Sequence, residues 1–140
     1  MLLLAIGLAG CGGGPPADLF IVKRAGSVPG AALTLRLTDD GGAYCNGLGR
    51  REITSAQLIE GRELRRLLDG DERDDDAPKA LAPGNPSFPA RGVSIFSYRV
   101  RSERGTVSFH ESSRIPGSTL VPRVVKLTRD VARDSCKLPR

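Results

Sequence analysis

The hydrophobic period of this chain switches between two residues and about 3.6, and that switching restricts its possible folds more than any single residue does. Leu33, Leu35 and Leu37 alternate with Thr34, Arg36 and Thr38, which makes an extended segment with one apolar face and one wet face. Before it, Leu19-Phe20-Ile21-Val22-Lys23-Arg24 is a short, partly β-branched run that reads as a strand and is ended by Gly26, Pro29 and Gly30. After it, Asp39-Asp40-Gly41-Gly42 has the composition of a hairpin turn, and Ala43 to Asn46 returns as a short strand carrying Cys45. Arg51 to Thr54 allows one further brief extended piece.

From Ser55 the period becomes helical, with Leu58, Leu64, Leu67 and Leu68 on one stripe and Arg62, Glu63, Arg65 and Arg66 off it. Gly61 weakens the first part, so the helix starts either at Ser55 or near Gly61, and it stops at Asp69-Gly70. Residues 71–92 bring an acidic cluster and then Pro78, Pro83, Pro86 and Pro89, the composition of a long loop with at most frayed helix at its start. Val93 to Ser102 and Thr106 to Ser112 flank Glu103-Arg104-Gly105 as a hairpin, with Phe96, Tyr98 and Val100 facing Val107 and Phe109 across the ladder. A second helix follows, with Ser118-Thr119 as the N-cap region, Pro122 in the first turn, and Leu120, Val124, Leu127 and Val131 on its apolar stripe. The order βββ-α-ββ-α defines an α+β fold, an antiparallel sheet of about five strands with two helices on one face. Thr34, Arg36, Arg99 and Arg101 would then lie on the face left open to a partner or to water.

Composition fits a modest core. Hydrophobic residues make up 39% of 140, yet there is no tryptophan and there are only four phenylalanines and two tyrosines. A small-ligand or lipid carrier would need a cavity that so short and aromatic-poor a chain is not expected to enclose. The net charge of +5 comes from 21 Lys+Arg against 16 Asp+Glu with no long basic run, so no nucleic-acid partner is expected. The basic side of the last helix, Arg123, Lys126, Arg129 and Arg133, together with Arg99 and Arg101, could meet anionic headgroups or wall polymers. A charged helix face is more often only the wet face.

Three cysteines are an odd number for a chain exposed to an oxidising compartment. Leu2 to Ala9 is apolar but far shorter than the about 20 residues that cross a bilayer. It runs into Leu8-Ala9-Gly10-Cys11, which resembles the lipobox of bacterial lipoproteins, here of the kind found as small lipoproteins in GC-rich actinobacteria. The resemblance implies that 1–10 is a signal peptide cut before Cys11, that the Cys11 thiol carries diacylglycerol, and that the protein is extracytoplasmic and anchored to the cell membrane. Residues 11–17, with Gly12-Gly13-Gly14-Pro15-Pro16, would be the tether, and 18–140 a single domain. With Cys11 assigned to lipid, Cys45 and Cys136 remain, 91 residues apart, with one intramolecular pairing open to them. A loop of that length gives a bridge about 4–5 kcal/mol of stabilisation in the chain-entropy model. Free buried thiols and a metal site are the alternatives, the latter without a CxxC spacing and with a single histidine in the chain.

Chemistry-bearing motifs are scarce. His110 alternates away from the aromatic face, which makes it an exposed strand residue, and no Gly-x-Ser-x-Gly elbow, GxxxxGK[ST] or strand-linked GxGxxG occurs. In Asp69-Gly70-Asp71-Glu72-Arg73-Asp74-Asp75-Asp76 an arginine falls where a calcium loop needs oxygen, so the run reads as a solvated loop. The expectation is a non-enzymatic domain, without cofactor or metal, that binds an envelope protein or a wall polymer through its exposed sheet and loops. Phe20 to Gly26, Tyr98-Arg99-Val100 and the Leu120 to Val131 helix, in this element order, also resemble the emfourin-type inhibitors of thermolysin-like metalloproteases. That resemblance implies a surface-anchored protease inhibitor as the alternative function.

Overall fold

A computed structural model describes residues 13–138; Cys11 and the lipobox residues Leu8 to Gly10 lie outside the described residues. The elements run β1 (Asp18–Gly26), β2 (Leu33–Thr38), β3 (Gly42–Cys45), β4 (Arg51–Glu52), α1 (Ser55–Asp69), β5 (Phe96–Ser102), β6 (Gly105–His110) and α2 (Leu120–Asp134). The strands form one antiparallel six-stranded sheet in the order β4-β3-β2-β1-β5-β6, and both helices pack on the same face of it. The fold is α+β, as the periodicity predicts. The strand beyond the expected five is β4, whose two residues pair with Gly42 and Ala43.

β1 is central, with β2 on one side and the β5–β6 hairpin on the other. Val22 faces Leu35 in one register and Val100 in the other, and all three are fully buried. A register shift between Asp18 and Phe20 places both Leu19 and Phe20 in the core, which strict alternation forbids. In the hairpin, Tyr98 lies opposite Phe109 and Val100 opposite Val107, and the two rings stack with centroids 5.4 Å apart.

α1 starts at Ser55. The Thr54 hydroxyl accepts from the Gln57 N–H (3.1 Å) while the Gln57 side chain accepts from the Thr54 N–H (2.9 Å), a reciprocal cap that settles the choice of start. Gly61 lies inside this helix because a Cβ there would come within 3.1 Å of the Leu19 side chain, so it allows the helix to sit close on β1. α2 departs from the expected cap. Thr119 makes no side-chain cap bond, and the Ser118 hydroxyl instead accepts from the Leu120 N–H at 3.2 Å. Across the helix pair, Arg123 donates twice to Glu60, at 2.7 and 2.8 Å.

Residues 71–92 are neither helical at their start nor merely solvated. Leu81 and Ala82 donate their N–H groups to the carbonyls of Leu67 and Leu68, and Ala82 is fully buried. Further on, Ser108 donates to the Pro86 carbonyl and Phe88 to that of Ser108, so this segment covers the outer edge of β6. Gly105, at φ 152°, is required where the hairpin turn meets this segment, since a Cβ there would lie 2.2 Å from the Ala82 carbonyl oxygen.

Candidate functional site

Alternation along β1, β2, β5 and β6 sends every second side chain away from the helices. The pairings then arrange these side chains as rungs across the open face. One rung reads Tyr44, Arg36, Ile21, Arg101, Thr106, and the next Thr34, Lys23, Arg99, Ser108. Ile21, Lys23, Arg99, Arg101 and Thr106 line a shallow hollow of about 170 Å³ between them.

The charges on this face are treated in two ways. Arg36 is held: it donates to Asp18 at 3.1 Å, and its guanidinium packs 4.0 Å from the centre of the Tyr44 ring. Lys23, Arg99 and Arg101 make no ion pair among the described residues. Lys23 and Arg99 are also directly opposed in the β1–β5 ladder, the arrangement in which like charges repel most. Hydroxyls of Thr34, Thr106 and Ser108 lie on the same rungs as these cations. Chemically the surface is a grid of cationic and hydroxyl donors, suited to hydrogen-bonding anionic oxygens.

The structure separates groups that the sequence could be read as joining. Arg99 and Arg101 sit on the open face, whereas α2 packs on the covered one, so they form no common basic patch with the last helix. Most of that helix's basic side is already paired. Arg123 is bound to Glu60, Lys126 to Asp130, and Arg133 to both Asp130 and Asp134; Arg129 alone makes no ion pair among the described residues. The bonds from Arg123 hold the Glu60 carboxyl below its usual range and raise the guanidinium in turn. Asp134 is likewise lowered, chiefly by its bond from Arg133.

Glu72, Asp75 and Asp76 of the acidic run are exposed in a loop, as expected, while Asp69, Asp71 and Asp74 also have a structural role. Arg66 pairs with Asp71 at 3.2 Å and with Asp74. Asp69 accepts from the Ser102 hydroxyl (2.6 Å) and from the Arg104 N–H (3.1 Å), which fastens the end of α1 to the β5–β6 turn. His110 is half-buried rather than exposed, and its backbone N–H donates to the Ser113 hydroxyl at 2.8 Å. Cys45 and Cys136 stand at disulfide distance, with Cα atoms 6.0 Å apart. Among the described residues no helix is long and apolar enough to cross a membrane, and no group of three His, Cys, Asp or Glu could hold a metal ion.

The residue that sequence reasoning missed on the open face is Lys23. Its alternation with Val22 was visible, but its opposition to Arg99 depends on a pairing between strands far apart in the chain. No family model, curated protein or solved structure matches the chain.

Proposed function

We propose that the protein is a non-enzymatic binding domain of the cell envelope, anchored to the membrane by lipid on Cys11, which presents its open sheet face to an anionic wall polymer. The observation that carries the binding surface is the direct opposition of Lys23 and Arg99 beside Arg101, none of which makes an ion pair with a carboxylate among the described residues. A fold has no reason of stability to stack like charges on a ladder, and an anionic ligand turns that repulsion into attraction. The anchor rests on the Leu8-Ala9-Gly10-Cys11 pattern and on the Gly/Pro tether behind it. In the oxidising space outside the membrane, the Cys45–Cys136 pair is read as a formed disulfide that ties β3 to the end of α2.

Two measurements test the reading. Palmitate should label the wild-type chain and not the Cys11→Ser variant, and labelling of the variant would remove the anchor. Purified anionic wall polymer should retain the protein at low salt, release it as salt rises, and fail to retain Lys23→Glu/Arg99→Glu. Retention of that double variant at wild-type strength would overturn the sheet-face assignment, and retention of an envelope protein in place of the polymer would overturn the polymer as partner.

A further inference from the structure

The end of the covered face holds a pocket that has no part in the proposed polymer surface. It lies where the β1–β2 connection, the start of β5 and the last turns of α2 converge, and it has a volume of about 280 Å³. Its apolar lining comes from Val28, Ala31, Phe96, Ala132 and Leu138. Ala31 and Ala132 are buried, whereas Val28 is 41% exposed at the rim, so the pocket is open on one side rather than enclosed.

Three arginines border it, and they differ in what they already bind. Arg133 is paired with Asp130 and Asp134. Arg24 is held by neutral groups only: its Nε donates to the Ala31 carbonyl at 2.9 Å, one Nη donates to the Gly30 carbonyl at 3.4 Å, and its plane lies 4.9 Å over the Phe96 ring. Its position is therefore fixed while its charge stays uncompensated by any ion pair among the described residues, and guanidinium N–H donors are left over. Arg129 reaches the same pocket from α2 and also makes no ion pair among the described residues. The two converge on one place, since Arg24 from β1 and Arg129 from α2 line the same pocket.

The negative end of a helix would ordinarily disfavour an anion here. In α2 that end is partly covered. The N–H groups of Ser135 and Cys136 take the Val131 carbonyl, and that of Leu138 takes the Ala132 carbonyl. The pocket thus offers an apolar floor and two guanidinium groups without an ion pair among the described residues, one of them pre-positioned by the backbone.

We infer that this pocket binds a small organic anion, a carboxylate bearing an unbranched apolar tail, with the carboxylate between Arg24 and Arg129 and the tail over Ala31, Phe96 and Ala132. Fixed guanidinium donors favour a carboxylate through charge-assisted hydrogen bonds, while the apolar lining rewards the tail by area removed from water. The ligand class is set by needing both halves. Acetate lacks the tail, and an alcohol of the same length lacks the charge.

The test uses octanoate as the probe, with acetate and octan-1-ol as its two halves, on the full chain carrying Cys11→Ser so that no attached lipid competes. Isothermal titration should show saturable octanoate binding about tenfold or more tighter than that of octan-1-ol, the effect expected for a hydrogen bond to a charged group. Acetate should not bind measurably. Arg129→Gln, at an exposed helix position, and Arg24→Met should each bring octanoate down toward the level of octan-1-ol, and Ala132→Leu should abolish binding by filling the floor. The Arg129→Gln variant keeps the test decisive if either pocket-wall substitution unfolds the chain. Equal binding of octanoate and octan-1-ol, binding of acetate as tight as that of octanoate, or unchanged octanoate affinity in Arg129→Gln would each overturn the inference. Because none of these variants touches Lys23, Arg99 or Arg101, failure here leaves the polymer surface untested by it, and loss of polymer binding says nothing of the pocket.

Discussion

The two faces of the sheet are made by the same strands, yet they are governed by different physics. On the covered face Val22, Leu35, Val100 and Val107 are fully buried and pack under α1 and α2. The immediate strand neighbours of these residues, Lys23, Arg36, Arg99 and Ser108, look outward and keep contact with water. The covered face satisfies itself with apolar contacts, a stacked Tyr98–Phe109 pair and a helix-to-helix ion pair. The open face leaves cations opposed to each other. A sheet of this size is stabilised by one face, so the other is free to carry charges that folding alone would not select.

The largest test of this contrast is the proposed Cys45–Cys136 bond, which would join the sheet to its helical cover. Removing it in Cys45→Ser/Cys136→Ser should cost about 4–5 kcal/mol for a loop of this length, read from urea unfolding. A loss below about 1 kcal/mol would mean that packing alone holds the helices on. Adjacent residues of β2 give the next test. Leu35→Ala should cost about 2–5 kcal/mol through the cavity it leaves, whereas Arg36→Ala, which loses one exposed ion pair and a contact with Tyr44, should cost about 1 kcal/mol or less. Similar losses at the two positions would erase the distinction between the faces.

Within the covered side, Glu60→Gln should cost about 0.5–1 kcal/mol, the value of a partly exposed but bidentate pair. Glu60 is depressed in the folded state, so its contribution is present above the ordinary glutamate pKa and is lost as the pH falls through the lowered folded value. Wild type and variant should therefore differ at neutral pH and converge in acid; a difference that persists in acid would assign the effect to packing. Smallest of all should be Arg99→Thr, within about 0.5 kcal/mol and on the stabilising side, because it removes a like-charge pair from the ladder. Its polymer binding should fall even as its melting temperature holds. If Arg99→Thr lost more than about 1 kcal/mol, the open face would be part of the scaffold rather than a binding surface.

Much of the fold was legible because its signals are local. The alternation of Leu33 to Leu37, the hairpin around Gly105 with Tyr98 opposite Phe109, and the stripe from Leu120 to Val131 each depend on residues within one or two elements. The alternation fails at Thr38, expected on the wet face but buried, where its hydroxyl donates to Asp40 in the turn that follows. The Thr54-x-x-Gln57 cap was equally local and would have settled the start of α1. Other features had no local signal. The bulge that buries both Leu19 and Phe20 appears only once β1 has a partner. The acidic run looked like a solvated loop because Arg66, Ser102 and Arg104, which its carboxylates and that of Asp69 meet, come from α1 and the β5–β6 hairpin. Arg24 and Arg129 share a pocket for a similarly nonlocal reason, one lying on β1 and the other on α2.

By itself, the sequence determined which residues of each strand and helix would be apolar and which charged, because side-chain direction follows from the backbone period alone. It also confined the cysteines of the domain to a single possible pair. Only the tertiary structure decided that β1 lies between β2 and β5, and with that, that Lys23 meets Arg99 and that Arg24 meets Phe96 and Arg129 in one pocket. Strand order is decided by which distant apolar faces bury each other best. Closing a long connection adds only slowly with its length, so the 71–92 segment leaves that choice to packing.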